Sequence, residues 1–426
     1  MDSDYVVIGG GFAGLHCAKS LADVGFQVTL LESANKLMDG ATRHNMARIH
    51  LGWHYPGSLE TALECIPAAF DFLKDFSDVL LKPKVGSFSP FKNGLCALAA
   101  NSFTSKTEWL AIADSLRSCY AQEFTKHTSN FGAPEDFYRV LDEREWRHIF
   151  NPNTILSVAS TLEHFVDLPA LSAKVISAAQ SHPNISILTN HEVLEGYPIT
   201  ANGKEAVRLR VRTGDGSIRN FSANRVLNAS WASRRKLDAS MACHLKVDEP
   251  ASVTYRLRVI SRVQLAGDLI TLPSLITVHG PLFSFTNCGD GTALMMYEPV
   301  SNATSENSIP KEWLPMISGN LPKSEQADLA QLISHGVSQF MPALKGVEPI
   351  SITAGVVYHT GNADMYDLNS TVHHRLGTGV KAIADNWISL DSGKLSWIPR
   401  YARQVVELGQ RQSSASGTTH ASCFDK

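Results

Sequence analysis

A glycine turn near the start of the chain constrains the fold more than any other feature. Gly9, Gly11 and Gly14 follow the short apolar run Tyr5-Val6-Val7-Ile8, and beyond them Leu15, Ala18, Leu21 and Ala22 recur on one helical face. An apolar run broken by glycine predicts a buried parallel strand. The amphipathic stretch predicts a helix over 13–24, ended by Gly25, and 27–31 predicts a second strand closed by Glu32. Each residue type in this βαβ unit has a physical reason. Gly9 permits the tight turn, and Gly11, with Phe12 and Ala13 at the helix start, lets backbone N–H groups approach a pyrophosphate. Gly14 lets the helix lie against the sheet, and the helix N-terminus offers unpaired donors and a favourable dipole. Glu32, 18 residues after Gly14 and followed by Ser33, is placed to accept hydrogen bonds from ribose hydroxyls. Its charge disfavours a 2′-phosphate. The site is for a dinucleotide, and the motif alone does not separate FAD from NAD.

The chain has 426 residues, more than one core usually supports, so two domains are expected. Helices are predicted over 59–76, 107–122, 169–179, much of 311–340 and 397–410. Strands are predicted at 185–188, 207–211, 225–229, 252–260, 276–278, 282–285, 293–297, 352–357 and 380–384. The strands between 252 and 297 suggest a mostly antiparallel sheet. The Ser-, Thr- and Ala-rich stretch 412–426 reads as a disordered tail. A net charge of −3 with no long basic run gives no nucleic-acid footprint. The seven cysteines form no CxxC pair, so neither a disulfide framework nor a zinc site is suggested. The acidic start Met1-Asp2-Ser3-Asp4 argues against a usual signal peptide, and no long uncharged apolar window suggests a membrane span. A soluble cytoplasmic protein is the expectation.

Two later segments carry a family resemblance. Gly40-Ala41-Thr42-Arg43-His44-Asn45-Met46-Ala47-Arg48-Ile49-His50-Leu51-Gly52-Trp53-His54-Tyr55 resembles the G-x-S-x-R-N-x-x-x-I-H-x-G-x-x-Y loop of the D-amino-acid-oxidase-like (DAO) flavoproteins, with Thr42 for Ser and His44 for Arg. Asp391-Ser392-Gly393-Lys394-Leu395-Ser396-Trp397-Ile398-Pro399-Arg400 is similar to the G-G-K-L-T-x-x-R motif of the glycerol-3-phosphate and 2-hydroxyglutarate dehydrogenase branches, with Ser392 for the first Gly and the Arg one residue late. The resemblance implies FAD as cofactor. It implies that Ala41, Thr42, Arg43 and Asn45 line the pyrophosphate or flavin, that Val193 lies on a strand touching adenine, and that Ala229 and Trp231 lie on a loop returning to the site. Ser392, Gly393, Lys394, Leu395 and Ser396 would serve the flavin's pyrimidine side, where a cation or helix N-terminus favours the reduced state. The implied fold is α/β (α+β overall), a Rossmann-type FAD domain with a second, mixed or antiparallel-sheet substrate domain. The FAD domain is expected over 1–80, 150–235 and 350–411, and the substrate domain over 81–149 and 236–349.

The implied activity is oxidation of a CH–NH or CH–OH group of a small substrate, with oxygen or another electron acceptor. The alternatives are a specialised biosynthetic flavoenzyme (oxidative cyclisation or a carrier-bound substrate) and a flavin-binding protein without turnover. His50 falls on a histidine that lies near the flavin in the family, and some relatives attach FAD covalently in this neighbourhood. His54, Tyr255 and Tyr297 join it as candidate catalytic groups. Arg256 and Arg258 share one strand face, with Tyr255 on the other. Arginine there suits a substrate carboxylate, and a solvated strand face is the competing expectation. His279, Phe283 and Phe285 fall in segments that roof the substrate in relatives.

Overall fold

The structure, a computed structural model, describes residues 3–82, 94–201, 203–245, 252–280, 283–375 and 377–418. It is an α/β chain that divides into two compact units. Unit 1 is Met1–Thr42, Pro169–Ala251 and Gly377–Lys426; unit 2 is Arg43–Leu168 and Ser252–Leu376.

Unit 1 is built on a six-stranded sheet in the order Gly379–Ala384, Trp387–Asp391, Arg225–Asn228, Tyr5–Ile8, Val28–Leu31, Ile185–Leu188. All neighbours run parallel except the edge strand Gly379–Ala384. Parallel strands must be covered on both faces, which explains why the four residues of Tyr5–Ile8 and of Val28–Leu31 are all buried. The helix Phe12–Asp23 turns Leu15, Ala18 and Leu21 inward, as their spacing predicts. Val6, Ile8 and Leu31 join Val193, Val207, Leu209, Val211 and Trp387 in one core. That core ties a three-stranded antiparallel sheet, His191–Ala201, Lys204–Thr213 and Ile218–Ala223, to the unit. Gly196 lets it approach, since a Cβ there would lie 2.5 Å from the Trp387 ring.

Unit 2 carries a nine-stranded, mostly antiparallel sheet. Its long strand Val253–Gln264 pairs with Pro349–Thr360, Asn302–Glu306 and Thr292–Tyr297. The pair Leu275–Thr277 and Leu95–Ala99 runs parallel. The helix Leu59–Phe76 begins at Ser58, whose hydroxyl accepts from the Thr61 N–H, and buries Ile66, Phe70 and Leu73.

The unit boundaries differ from those the resemblance implies. Pro349–Thr360 is bound by its ladder to Val253–Gln264, so it lies in unit 2 and not with the nucleotide fold. The helix Leu59–Phe76 packs on Lys106–Phe124 and also belongs to unit 2. The segment 236–245 lies in the helix Arg234–Leu245 of unit 1. The final helix, Ile398–Thr418, runs past Gln412, where composition predicts a disordered tail. A helix already nucleated on its packed stem (Ala402 and Val405 are fully buried) gains one backbone hydrogen bond per added residue, and Gln, Ser and Ala do not break it. Residues 419–426 lie outside the described residues.

Candidate functional site

In unit 1 four segments leave the sheet at the same, carboxyl edge. They are the Gly9–Gly14 turn after Ile8, Glu32 after Leu31, Ala229–Trp231 after Asn228, and Ser392–Ser396 after Asp391. The register places Ile8 opposite both Leu31 and Asn228, so these ends lie side by side. That edge is where open parallel sheets bind ligands.

Gly9 has φ +109, and a Cβ at Gly14 would lie 1.8 Å from the Gly9 carbonyl oxygen, so both glycines are required by geometry. Gly11 has room: a Cβ there would meet only the Thr42 hydroxyl, at 3.6 Å. The helix Phe12–Asp23 starts without a side-chain cap at Gly11 and without an acidic residue in its first turn. The Phe12 N–H donates to Thr42 Oγ1 at 3.3 Å. Glu32 accepts from the Gly10 N–H at 2.5 Å, the Ala34 N–H at 2.7 Å and the Ser33 hydroxyl at 3.1 Å, which fixes its carboxylate at the strand end. Val193 lies two residues beyond His191, whose N–H donates to the Glu32 carbonyl, and its side chain joins the unit 1 core. Ser396 is fully buried, and its hydroxyl has no partner among the described residues. An open glycine turn, uncapped helix donors, an anchored acid at the second strand and an unspent hydroxyl fit FAD. Gly11, Phe12, Ala13 and Thr42 would hold its pyrophosphate, Glu32 its ribose, and Lys394 and Ser396 its flavin end.

Sequence reasoning missed the device that holds two of these segments together. Asp238, buried on the helix Arg234–Leu245, accepts from Trp387 Nε1 at 2.8 Å, Ser389 Oγ at 2.5 Å and Asn228 Nδ2 at 2.8 Å. Arg234 donates to Asp391 Oδ2 at 2.9 Å and to Ser389 Oγ at 2.9 Å, and its Nη1 lies 3.4 Å from Asp238. Asn228 Oδ1 in turn accepts from the Ser230 hydroxyl at 2.6 Å, and Asp391 Oδ1 from the Gly393 N–H at 3.2 Å. The ends of both loops, Ala229–Trp231 and Ser392–Ser396, are thus fixed by one polar network. Trp231, just beyond, is held at φ +52, a strained conformation for a bulky residue. The only sequence signal was the four-residue spacing of Arg234 and Asp238.

In unit 2 the resemblance-derived residues spread over two environments. Arg43 is exposed, and Asn45 spends its side-chain oxygen on the Ala47 N–H at 2.8 Å, holding Ala47 at φ +56. His50 follows the strand Arg48–Ile49, its ring 5.2 Å from His54 and 6.3 Å from Tyr55. A buried ion pair sets this segment. Glu163 Oε2 lies 3.3 Å from Arg48 Nη1, while Glu163 Oε1 accepts the Leu51 N–H at 2.8 Å. Arg48 also donates to the Leu275 carbonyl at 2.7 Å and lies over the Phe165 ring.

Arg256 and Arg258 lie on one face of Val253–Gln264, as alternation predicts, but that face is not solvated. Arg256 is 3% exposed. Its Nη2 lies 3.1 Å from Glu298, which stands 4.0 Å from Arg258 Nη2. Opposite Arg258 in the ladder is Gly355, where a Cβ would lie 2.6 Å from His44 Cβ, so His44 covers the same face. His359, paired with Thr254, shares it too and meets Arg375 Nη1 through its ring at 2.7 Å. Arg375 Nε donates to the Tyr55 hydroxyl at 3.3 Å. Burial pushes the Tyr55 phenol up to about 12, against the pull of Arg375 and Arg258.

Two catalytic candidates fall elsewhere. Tyr255 lies on the opposite face of the same strand, buried against Tyr358 with ring centroids 6.1 Å apart. Ser261 pairs with Met295, so Tyr297, in step with Met295, also faces away from the arginines. Its ring fills the space left by Gly336 on the helix Lys323–Phe340, where a Cβ would lie 2.1 Å from Tyr297 Cδ1. Both tyrosines pack the reverse side of the sheet. Phe283 and Phe285 are core residues.

His279 has φ +56, and its Nδ1 lies 2.6 Å from Thr104 Oγ1. Burial, aided by His373 with its ring centroid 4.9 Å away, lowers its pKa to about 4. A folded pKa below the unfolded 6.5 means that the unfolded chain takes up protons first. Stability should therefore fall as pH drops from about 6.5 towards 4. His279→Asn, which tolerates positive φ, should flatten that decline in thermal melts. An unchanged pH slope in the variant would show that other groups set it.

Residues 4–365 match the DAO family, described as FAD dependent oxidoreductase. The chain belongs to that family. Among solved structures it is similar to L-alpha-glycerophosphate oxidase from Mycoplasma pneumoniae, with TM-score 0.65 and 17% identity over 97% of this chain and 95% of that one. Glycine oxidase from Geobacillus kaustophilus gives TM-score 0.63 and 13% identity over 96% and 95%. L-proline dehydrogenase from P. horikoshii gives 0.64 and 16% over 96% and 94%. These likenesses bear on the fold. In sequence, the FAD-dependent monooxygenase FPY4 of Fusarium mangiferae is 33% identical over 73 residues, 17% of this chain and 20% of that protein. The FAD-dependent monooxygenase kojA of Aspergillus flavus is 31% identical over 75 residues, 18% of each. The chain thus matches about a fifth of the length of these curated relatives. Among the described residues no helix is long and apolar enough to cross a membrane.

Proposed function

We propose that this flavoenzyme oxidises a CH–OH or CH–NH group of a small organic acid whose anionic end is held by the arginine face of unit 2. The observation that carries the reading is the pairing of buried Arg256 with half-buried Arg258 on one strand face, with Glu298 as the carboxylate they share. Buried guanidinium is costly unless its charge is met, and a carboxylate ligand meets it bidentately. FAD, when bound, supplies a hydride acceptor at N5. The chain's own part is to hold the acid group at Arg258, keep the Tyr55 phenol protonated as a donor beside it, and receive the substrate proton at His50 or His54. The names of the structural neighbours support this class, since glycerophosphate, glycine and proline each carry an acid group. The electron acceptor is oxygen or another small oxidant. We place the enzyme in a reducing, cytoplasmic compartment, supported by the unbridged buried thiols Cys17, Cys65 and Cys96.

The test compares hydroxy and amino acids with their methyl esters in steady-state turnover. The acids should show KM values at least about tenfold lower, the equivalent of about 1.4 kcal/mol. Esters oxidised as well as the acids would remove the arginine face from substrate binding.

A further inference from the structure

A pair of histidines in unit 2 stands between the turn that carries Tyr55 and the segment that carries Arg375. His279 faces the turn: its Nε2 would lie 2.9 Å from a Cβ at Gly57, two residues after Tyr55. His373, 7% exposed and two residues before Arg375, packs edge-to-face on the His279 ring with centroids 4.9 Å apart. Thr104 Oγ1 takes up His279 Nδ1 at 2.6 Å, and the His373 ring hydrogen-bonds the backbone at Met365 and Asp367. Nε2 of both rings is buried with no hydrogen-bond partner among the described residues. The segment after Asn362 closes on itself. The Ser370 and Thr371 hydroxyls both donate to the Asn362 carbonyl, at 2.9 and 2.7 Å, and Asn362 Nδ2 donates to Asp367 Oδ2 at 2.9 Å. It then meets the helix Leu59–Phe76, where the Arg375 N–H donates to Thr61 Oγ1 at 3.1 Å, while Arg375 Nε donates to the Tyr55 hydroxyl at 3.3 Å.

This packing suits neutral rings alone. A charged ring carries an N–H at both nitrogens, and at Nε2 it would find no acceptor. Glu108 draws His279 toward charge and Asp367 draws His373, while Arg256 opposes charge on His373. Burial outweighs the acids and lowers both pKa values, to about 4 for His279.

We infer that His373 is a positioning residue: packed on His279 in its neutral form, it latches the segment 362–375 in place and so holds Arg375 on Tyr55, and acid releases the latch. The inference rests on the reading of Tyr55 as the donor beside the substrate's acid group, and it adds a control on that donor. On opening, the rings meet water and take up protons near the ordinary pKa of 6.5, whereas the closed pair resists until His279 reaches about 4. The closed form is therefore favoured above pH 6.5, and opening grows as pH falls from there towards 4.

The test is hydrogen exchange on the flavin-loaded enzyme, read by mass spectrometry and corrected for the pH dependence of free amides. Between pH 7 and pH 5, protection in peptides covering 362–375 and 52–61 should fall by at least about tenfold, with Val253–Gln264 unchanged. His373→Phe keeps the bulk of the ring without its hydrogen bonds, and should show that loss in 362–375 already at pH 7. His373→Asn keeps a donor at the Nδ1 position and should restore protection at pH 7. The double variant His279→Asn/His373→Asn should lose the pH dependence. Equal protection of 362–375 at pH 7 and pH 5 in the unsubstituted enzyme overturns the inference. So does a fall shared by Val253–Gln264, or a pH dependence that survives in the double variant. Exchange is read without turnover, so the two readings fail separately. Acids oxidised by an enzyme whose segment stays closed at pH 5 sink the latch alone. Opening at pH 5 with no flavin reduction by any acid sinks the proposed oxidation and leaves the latch standing.

Discussion

Gly11→Ala should yield a folded protein that purifies without flavin. The added methyl meets only the Thr42 hydroxyl, at an ordinary 3.6 Å, so the apoprotein has no reason to unfold. It would, however, stand in the turn through which backbone N–H groups reach a pyrophosphate, next to the uncapped start of Phe12–Asp23. We expect FAD affinity to fall by about 100-fold or more, about 2.7 kcal/mol, with the thermal midpoint of the apoprotein unchanged. Gly14→Ala makes the contrast. There the methyl would sit 1.8 Å from the Gly9 carbonyl oxygen, a backbone atom that cannot rotate away, so helix and strand must separate. That variant should lose both flavin and stability. Stoichiometric flavin in purified Gly11→Ala would show that the turn does not carry the cofactor.

Asp238→Ala should be the most damaging substitution outside the glycine turn. The carboxylate is buried and accepts from Trp387, Ser389 and Asn228, with Arg234 at 3.4 Å. Removing it strands several buried donors and takes from Arg234 an acid partner besides Asp391. Breaking a buried charged network from one side costs about 3–5 kcal/mol. Urea unfolding at saturating FAD measures the loss, and Asp238→Asn should recover part of it by retaining one acceptor oxygen. A loss below about 1 kcal/mol would mean that the network is not structural.

What the sequence reveals depends on how local the physics is. The βαβ turn is legible because strand, glycines, helix and Glu32 all lie within 32 residues, and each obeys a steric or electrostatic rule that needs no partner from far along the chain. The helix 59–76 is legible for the same reason. Alternation correctly places Arg256 and Arg258 on one face, but it cannot say whether that face is covered. The cover comes from His44, Glu298, His359 and Arg375, residues tens to hundreds of positions away. Tyr255 and Tyr297 attract attention as polar aromatics, yet strand parity and the gap at Gly336 turn both to the reverse side. The Asp238 network is illegible because its helix presents no regular apolar stripe, and its partners arrive from two separate strands.

The central claim, that this DAO-family chain oxidises a small acid with FAD, is tested most directly by anaerobic absorbance titration of the purified holoprotein against a panel of hydroxy and amino acids. Bleaching of the visible flavin band by one class, with colour restored on admitting the electron acceptor, is the predicted result, and the class that bleaches it fixes the bond oxidised. A flavin-loaded protein that stays yellow with every acid, while uncharged amines or alcohols bleach it, would contradict the account.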